Sequence, residues 1–211
     1  MLRIFYADIR DLPLDYELSC FSAYRQKMLQ AIQNPKRRQQ EIGTELLLIH
    51  ALPASLERPR LPLTIAVDEL GKPYLQNSRI QFSTSHSGPY TACAVAAYPL
   101  GLDIQTPVSY NAAAVKRCCT ENEEAFVQDS EDKDYAFTML WSMKESVMKA
   151  KGTGFHRAMK SFSLERLSEA ESPRCEGMSI FHCYQDSCHF SLCRPLQWAE
   201  EPIAIEKIKL L

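Results

Sequence analysis

The sequence predicts an α+β protein made of two similar-sized, pseudo-duplicated halves, residues 1–105 and 106–211. Three observations point there. At 211 residues with 45% hydrophobic content, the chain can bury a real core in one large or two small units. In each half, helix-period segments are followed by strand-like segments, rather than the regular alternation that builds a doubly wound sheet. The halves are also of similar length, although no sequence identity between them is visible.

In the first half, Leu2 to Ala7 reads as a strand and Tyr16 to Ile32 as a helix offering Leu18, Phe21, Met28, Leu29 and Ile32 for burial. Asn34-Pro35 opens a second helix, since Pro suits the first helical position, and the segment runs from Lys36-Arg37-Arg38 into Leu46-Leu47-Leu48-Ile49. A basic run at a helix N-terminus opposes the macrodipole, so it reads either as a solvated face or as a place where an anion offsets it. A proline-rich link from Leu52 to Pro62 follows, then a hairpin-like segment, Thr64–Val67 and Tyr74–Leu75, around a Gly71-Lys72-Pro73 turn. Ile80–Ser83 and Tyr90–Ala96 read as strands joined by a loop, Ser85-His86-Ser87-Gly88, whose histidine is either inert or a phosphate donor. Gly101–Gln105 is a short buried strand with Asp103 and Gln105 on one face, and a carboxylate there needs a partner or a metal.

In the second half, helices are expected near Ser109–Cys118, Glu121–Val127 and Lys133–Ala150, and strands at Lys160–Leu164, Met178–Tyr184, Cys188–Leu192 and Ile203–Lys209. On the long helix, Phe137, Leu140, Trp141, Met143, Val147 and Met148 recur at helical spacing. Glu145 and Lys149, four apart, then stand side by side, which by itself is a surface pair worth a few tenths of a kcal/mol. Lys144 beside an aromatic and the turn Lys151-Gly152-Thr153-Gly154 immediately after change that weighting, because a glycine-rich turn at a helix end suits a phosphate-bearing ligand.

Composition removes several function classes. A net charge of −2 argues against a generic nucleic-acid binder, which relies on a basic surplus to release counterions. The start is too soon interrupted by Asp8, Arg10 and Asp11 for a signal peptide, and no 18-residue apolar run exists, so a cytoplasmic protein is expected. Eight cysteines without C-x-x-C spacing read as reduced, mostly apolar side chains. His182, Cys183, Cys188 and His189 resemble metal ligands in type, but strand alternation would scatter them over two faces, so zinc is not expected.

Gly101-Leu102-Asp103-Ile104-Gln105, followed by Trp141-Ser142-Met143-Lys144-Glu145-Ser146 with Lys149 and the Gly loop, resembles the signature pair of the surfactin-synthetase-activating (Sfp) type 4′-phosphopantetheinyl transferases. Gly71-Lys72-Pro73 and Ser85-His86-Ser87 extend the resemblance in the same order, so that it spans about residues 35 to 165. It implies Mg²⁺-dependent transfer of the phosphopantetheine arm of coenzyme A to a serine of an acyl or peptidyl carrier protein, with release of adenosine 3′,5′-bisphosphate. It also implies a monomer with its active site at the interface of the halves, serving fatty acid, polyketide or nonribosomal peptide synthesis, with no nucleic-acid or membrane partner. Asp103 and Glu145 would ligate the metal, Glu145 would take the serine proton, and Lys149 would neutralise the leaving phosphate. Arg37, Arg38, Gly71, Lys72, Pro73, Ser85, His86, Lys144 and Lys149 would hold coenzyme A.

One position departs from the family: a second acid is often found where this chain has Gln105. An amide oxygen can still ligate Mg²⁺ or hold a ligating water, and Glu123 falls near a further family acid. Two rivals remain. A magnesium nuclease would use similar residues, though its acid and lysine commonly lie two apart on a strand. A non-catalytic carrier-protein binding module would keep the fold while losing metal ligands, as Gln105 hints.

Overall fold

The protein, seen in a computed structural model, is described over residues 2–52, 60–154, 157–167 and 172–210. Most of the proline-rich link therefore lies outside the described residues. The fold class is α+β, and the chain divides into two compact units, Met1–Pro99 with Glu201–Leu211, and Leu100–Glu200.

In the first unit, β1 (Leu2–Asp8), β4 (Gln81–Ser87), β5 (Tyr90–Ala96) and β10 (Ile203–Lys207) form one sheet in the order β10-β1-β5-β4. Only the β1–β10 pair in it is parallel. Helix α2 (Pro35–Ala51) lies on this sheet, burying Leu47 and Leu48 against Phe5, Phe82, Cys93 and Val95. Its start is fixed by Asn34, whose side chain accepts from the Arg37 N–H at 3.1 Å, and by Pro35 in the first turn. Helix α1 (Ala23–Ala31) begins later than the Tyr16 expected, because Ser22 caps it by accepting from the Arg25 N–H at 3.2 Å. Strands β2 (Ile65–Val67) and β3 (Pro73–Leu75) make a separate small hairpin.

In the second unit, β6 (Gly101–Gln105), β7 (Arg174–Cys175), β8 (Met178–Gln185) and β9 (Cys188–Pro195) form an antiparallel sheet in the order β6-β9-β8-β7. Helices α3 (Ala112–Cys118), α4 (Glu121–Asp129) and α5 (Lys133–Lys151) complete it. The buried stripe of α5, including Leu140, Met143 and Val147, joins Val115, Val127, Ile180 and Cys193 in one core. Asp132 caps α5 by accepting from the Tyr135 N–H at 2.9 Å, and Gly152 ends it at φ 70°, where a left-handed residue closes the last carbonyls. Contact between α5 and β6 is close: a Cβ on Gly101 would lie 2.0 Å from the Ser146 carbonyl oxygen.

The two units share a connection pattern. A first strand leads through helices to a hairpin whose second strand pairs with the first, giving β1-β5-β4 in one and β6-β9-β8 in the other. The boundary differs from the one expected at 105/106. Strand β6 hydrogen-bonds to β9, which assigns it to the second unit, and the tail strand β10 pairs with β1 in the first. Lys160–Leu164, expected as a strand, holds instead a 3-10 turn at Met159–Ser161.

Candidate active site

In the second unit, β6 and α5 bring together two carboxylates and a lysine. Asp103, 4% exposed, accepts a hydrogen bond on Oδ1 from Lys149 Nζ at 2.7 Å. Glu145 stands one helical turn before Lys149. Burial pushes its carboxyl above the usual glutamate range, the negative charge of Asp103 pushes it further, and Lys149 partly offsets both. Gln105 lies two residues from Asp103 on the same face of β6, and its Nε2 donates to the Thr106 carbonyl at 3.3 Å. It borders a cleft of about 560 Å³ lined also by Val108, Asn111, Arg117, Phe137 and Trp141. Sequence reading missed that cleft, because its walls come from the end of β6, the loop after it, α3 and α5, and Gln105, Phe137 and Trp141 had stood out for other reasons.

Two expected ligand residues point elsewhere. Lys144, 1% exposed, donates to Glu123 Oε1 at 2.8 Å, to Glu123 Oε2 at 2.6 Å and to the Phe162 carbonyl at 2.8 Å. An ammonium has three N–H donors, and these three acceptors use them all. Glu123, fully buried, also accepts from the backbone N–H groups of Thr120 at 2.7 Å and Leu164 at 2.8 Å. The pair is a structural brace between α4, α5 and the segment after α5. Lys144 and Glu123 are therefore turned to each other and to the backbone rather than toward Asp103 and Lys149.

After α5, Glu176 ties two cations. It accepts from Arg157 Nη2 at 2.6 Å and pairs with Lys151, and these cations hold its carboxyl down to about 2. The histidines of the β8–β9 hairpin meet as well, His182 Nε2 lying 3.0 Å from His189 Nδ1, and burial lowers both to about 4. Register separates them from Cys183 and Cys188, which sit on the opposite face. Among the described residues no three or more His, Cys, Asp or Glu side chains gather in a form that could hold a metal ion.

The expected phosphate holders from the first half lie in the first unit. His86 is inside β4 rather than in a loop, because the strand continues through the hydroxyl residues to Ser87. Its Nε2 lies 3.5 Å from Glu41 Oε1 on α2. Arg37 Nη2 reaches the same oxygen at 2.8 Å. Ser85, 6% exposed, pairs in register with Ala92 while His86 pairs with Thr91, so the two side chains leave β4 on opposite faces and Ser85 does not join His86. Arg38 braces carbonyls, donating to Leu14 O at 3.1 Å and Leu29 O at 2.8 Å, which leaves Arg37 as the more outward of the two arginines. Gly71, at φ 88°, and Pro73 shape the turn that carries Lys72, in which Asp68 Oδ1 accepts the Lys72 N–H at 2.8 Å. Glu41 and its buried partner Arg25 were missed, although Glu41 stands four residues after Arg37 on a predicted helix, a spacing that pairs charges.

Residues 99–205 match the family model of the 4′-phosphopantetheinyl transferase superfamily. The chain belongs to that superfamily, and its curated relatives make it one of the Sfp type. It is 33% identical to the 4′-phosphopantetheinyl transferase Sfp of Bacillus subtilis (strain 168) over 105 residues, 48% of this chain and 47% of that protein. To the 4′-phosphopantetheinyl transferase gsp of Aneurinibacillus migulanus it is 30% identical over 124 residues, 58% of this chain and 52% of that one. The chain thus spans about half the length of the curated relatives it matches. A crystal structure of Thermotoga maritima holo-[acyl-carrier-protein] synthase aligns with TM-score 0.39 and 15% identity over 46% of this chain and 61% of that one.

Proposed function

We propose that the protein transfers the 4′-phosphopantetheine group of coenzyme A to a serine of an apo acyl or peptidyl carrier protein, releasing adenosine 3′,5′-bisphosphate. The observation that carries this reading is the Asp103, Glu145 and Lys149 cluster, which lies within the segment matching the family model. The serine Oγ forms a bond to the β-phosphorus of the pyrophosphate, and the bond from that phosphorus to the bridging oxygen breaks. Glu145 takes the serine proton, a task suited to a carboxylate made more basic by burial. Lys149 offsets the charge that develops on the departing bisphosphate.

Mg²⁺ fits the donor set. Asp103 and Glu145 are hard oxygen donors, burial and then the charge of Asp103 lifting the Glu145 carboxyl, and Mg²⁺ is commonly held by one or two carboxylates with water and substrate phosphate supplying the rest. Gln105 adds an amide oxygen on the same strand face. The bound ion would neutralise the pyrophosphate oxygens. Arg37, Lys72 and His86 would hold the coenzyme A phosphates. Among the described residues no helix is long and apolar enough to cross a membrane, and all eight cysteines are free thiols, the state a reducing compartment maintains.

The test is to incubate the protein with coenzyme A, Mg²⁺ and an apo carrier protein and to read the carrier's mass. Gain of one phosphopantetheine group, lost when a chelator removes Mg²⁺, is the expected result. A carrier of unchanged mass in the presence of fatty acid, polyketide and nonribosomal peptide carriers would overturn the proposal.

A further inference from the structure

The buried charge cluster of the first unit converges on a residue with no part in the reaction proposed above. Glu41 is 4% exposed, and its two carboxylate oxygens face different neighbours. Oε2 pairs with Arg25, which is itself 5% exposed and donates from Nε to Glu45 Oε2 at 3.3 Å. Glu45, fully buried, is fixed in turn by the Ser22 N–H at 2.9 Å. Oε1 faces the other way, with Arg37 Nη2 at 2.8 Å and His86 Nε2 at 3.5 Å. A cation from α2 and an imidazole from β4 thus meet at one oxygen of a carboxylate that is braced from behind.

That arrangement has physical consequences. A half-exposed arginine has many rotamers, and ordering it on binding an anion costs side-chain entropy unless it is ordered beforehand. An imidazole's orientation and tautomer are set by the partner of one of its nitrogens. A guanidinium and a protonated imidazole placed side by side repel, and a shared anionic oxygen offsets that repulsion. Because Arg25 balances Glu41 from the inside, the outward pair keeps its attraction for a phosphate.

We infer that Glu41 is a positioning residue for coenzyme A, holding Arg37 and His86 in the arrangement that receives a phosphate group. The inference rests on the function proposed above. It adds a residue that binds no part of the ligand and acts through two that do.

The test compares Glu41→Gln with the unaltered protein for coenzyme A binding by titration calorimetry and for KM and kcat in carrier modification. The variant keeps the shape of the side chain and removes its charge. Kd and KM are expected to rise about ten-fold, the scale of losing charge-assisted contacts, with kcat within two-fold. Glu45→Gln removes a neighbouring buried charge on the same arginine, so it reports general loosening, and it is expected to lower thermal stability with little change in Kd. Combined with Arg37→Ala and His86→Ala, Glu41→Gln is expected to add nothing further. Should Glu41→Gln not fold, Glu41→Asp withdraws the charge by one methylene and is expected to show the same pattern in weaker form. Unchanged Kd and KM, a loss confined to kcat, an equal loss in Glu45→Gln, or full additivity with the double variant would overturn the inference alone. Failure of the unaltered protein to bind coenzyme A would overturn the proposed function and this inference with it.

Discussion

Two acid–lysine pairings hang from α5 at Lys144 and Lys149, and they differ in how deeply they are buried. Lys144 and Glu123 are both within 1% of full burial, with three acceptors around the ammonium and two backbone donors added to the carboxylate. Lys149 and Asp103 meet at 2.7 Å, the lysine side chain 28% exposed, beside a second carboxylate whose proton affinity is raised by burial and by Asp103. In the first set the donors and acceptors are matched inside the core and brace the fold. In the second, negative charge gathered on Asp103 and Glu145 outweighs the lysine, which is the condition under which a cation or a transferable proton is attracted.

The largest effect that would break this comparison is expected at Glu145. Glu145→Gln should lower turnover by about two to four powers of ten, the range of general-base contributions, measured by carrier modification at saturating coenzyme A. Its stability should move the other way. A carboxyl whose folded pKa is raised contributes stability that is fully present below its ordinary value of 4.5 and is lost as pH rises through the folded value. The amide does not ionise, so at neutral pH urea unfolding should find Glu145→Gln more stable than the unaltered protein. A variant that is equally active removes the residue from the chemistry.

Lys144→Met is expected to reverse that profile. It leaves Glu123 buried without its countercharge, a change that costs about 3–5 kcal/mol of folding stability. Adding Glu123→Leu should return much of it, because replacing both members of a buried pair by apolar side chains is often neutral or stabilising. Urea unfolding of the single and double variants measures both. If Lys144→Met folds as well as the unaltered chain but loses coenzyme A affinity, the closed pair has been misread.

A smaller effect is expected from the buried histidine pair, whose ring nitrogens lie 3.0 Å apart. Burial lowers His182 and His189 to about 4 from an ordinary 6.5. The unfolded chain therefore binds more protons between those values, so stability present above pH 6.5 should decline as pH falls toward 4. His182→Gln with His189→Gln should flatten that decline in thermal melts taken across the window. An unchanged slope would assign acid sensitivity to other groups.

Much of α5 was legible in the sequence, since its apolar spacing and its glycine end are local signals. Asp103 was legible for a related reason, as a carboxylate on an apolar strand asks for a partner. Which of Lys144 and Lys149 is sealed from solvent was not, because the deciding partner, Glu123, lies 21 residues away and only tertiary packing brings it in. The same holds for β10, whose parallel pairing with β1 joins opposite ends of the described chain and leaves no mark on either strand. His86 was read as a loop residue because Ser85, Ser87 and Gly88 around it break the apolar pattern, whereas pairing with β5 carries the strand through to Ser87. Arg38 and Arg37 look alike in sequence and separate only when carbonyls of Leu14 and Leu29 claim one of them.

The finest test of the open cluster is at position 105. Gln105 stands on the strand face of Asp103, and its Nε2 makes only a 3.3 Å bond to the Thr106 carbonyl, so replacing the amide by a carboxylate gives up little local bonding. Gln105→Glu conserves size, and its effect should be electrostatic. The added charge should tighten Mg²⁺, but repulsion from Asp103, Glu145 and the pyrophosphate limits the gain, and the new carboxyl can escape part of it by holding a proton. The Mg²⁺ concentration giving half-maximal transfer at saturating coenzyme A should therefore fall only a few-fold. An unchanged value in a folded, active variant would mean that Gln105 does not reach the cation, leaving Asp103 and Glu145 as its protein ligands and Gln105 as a wall of the neighbouring cleft.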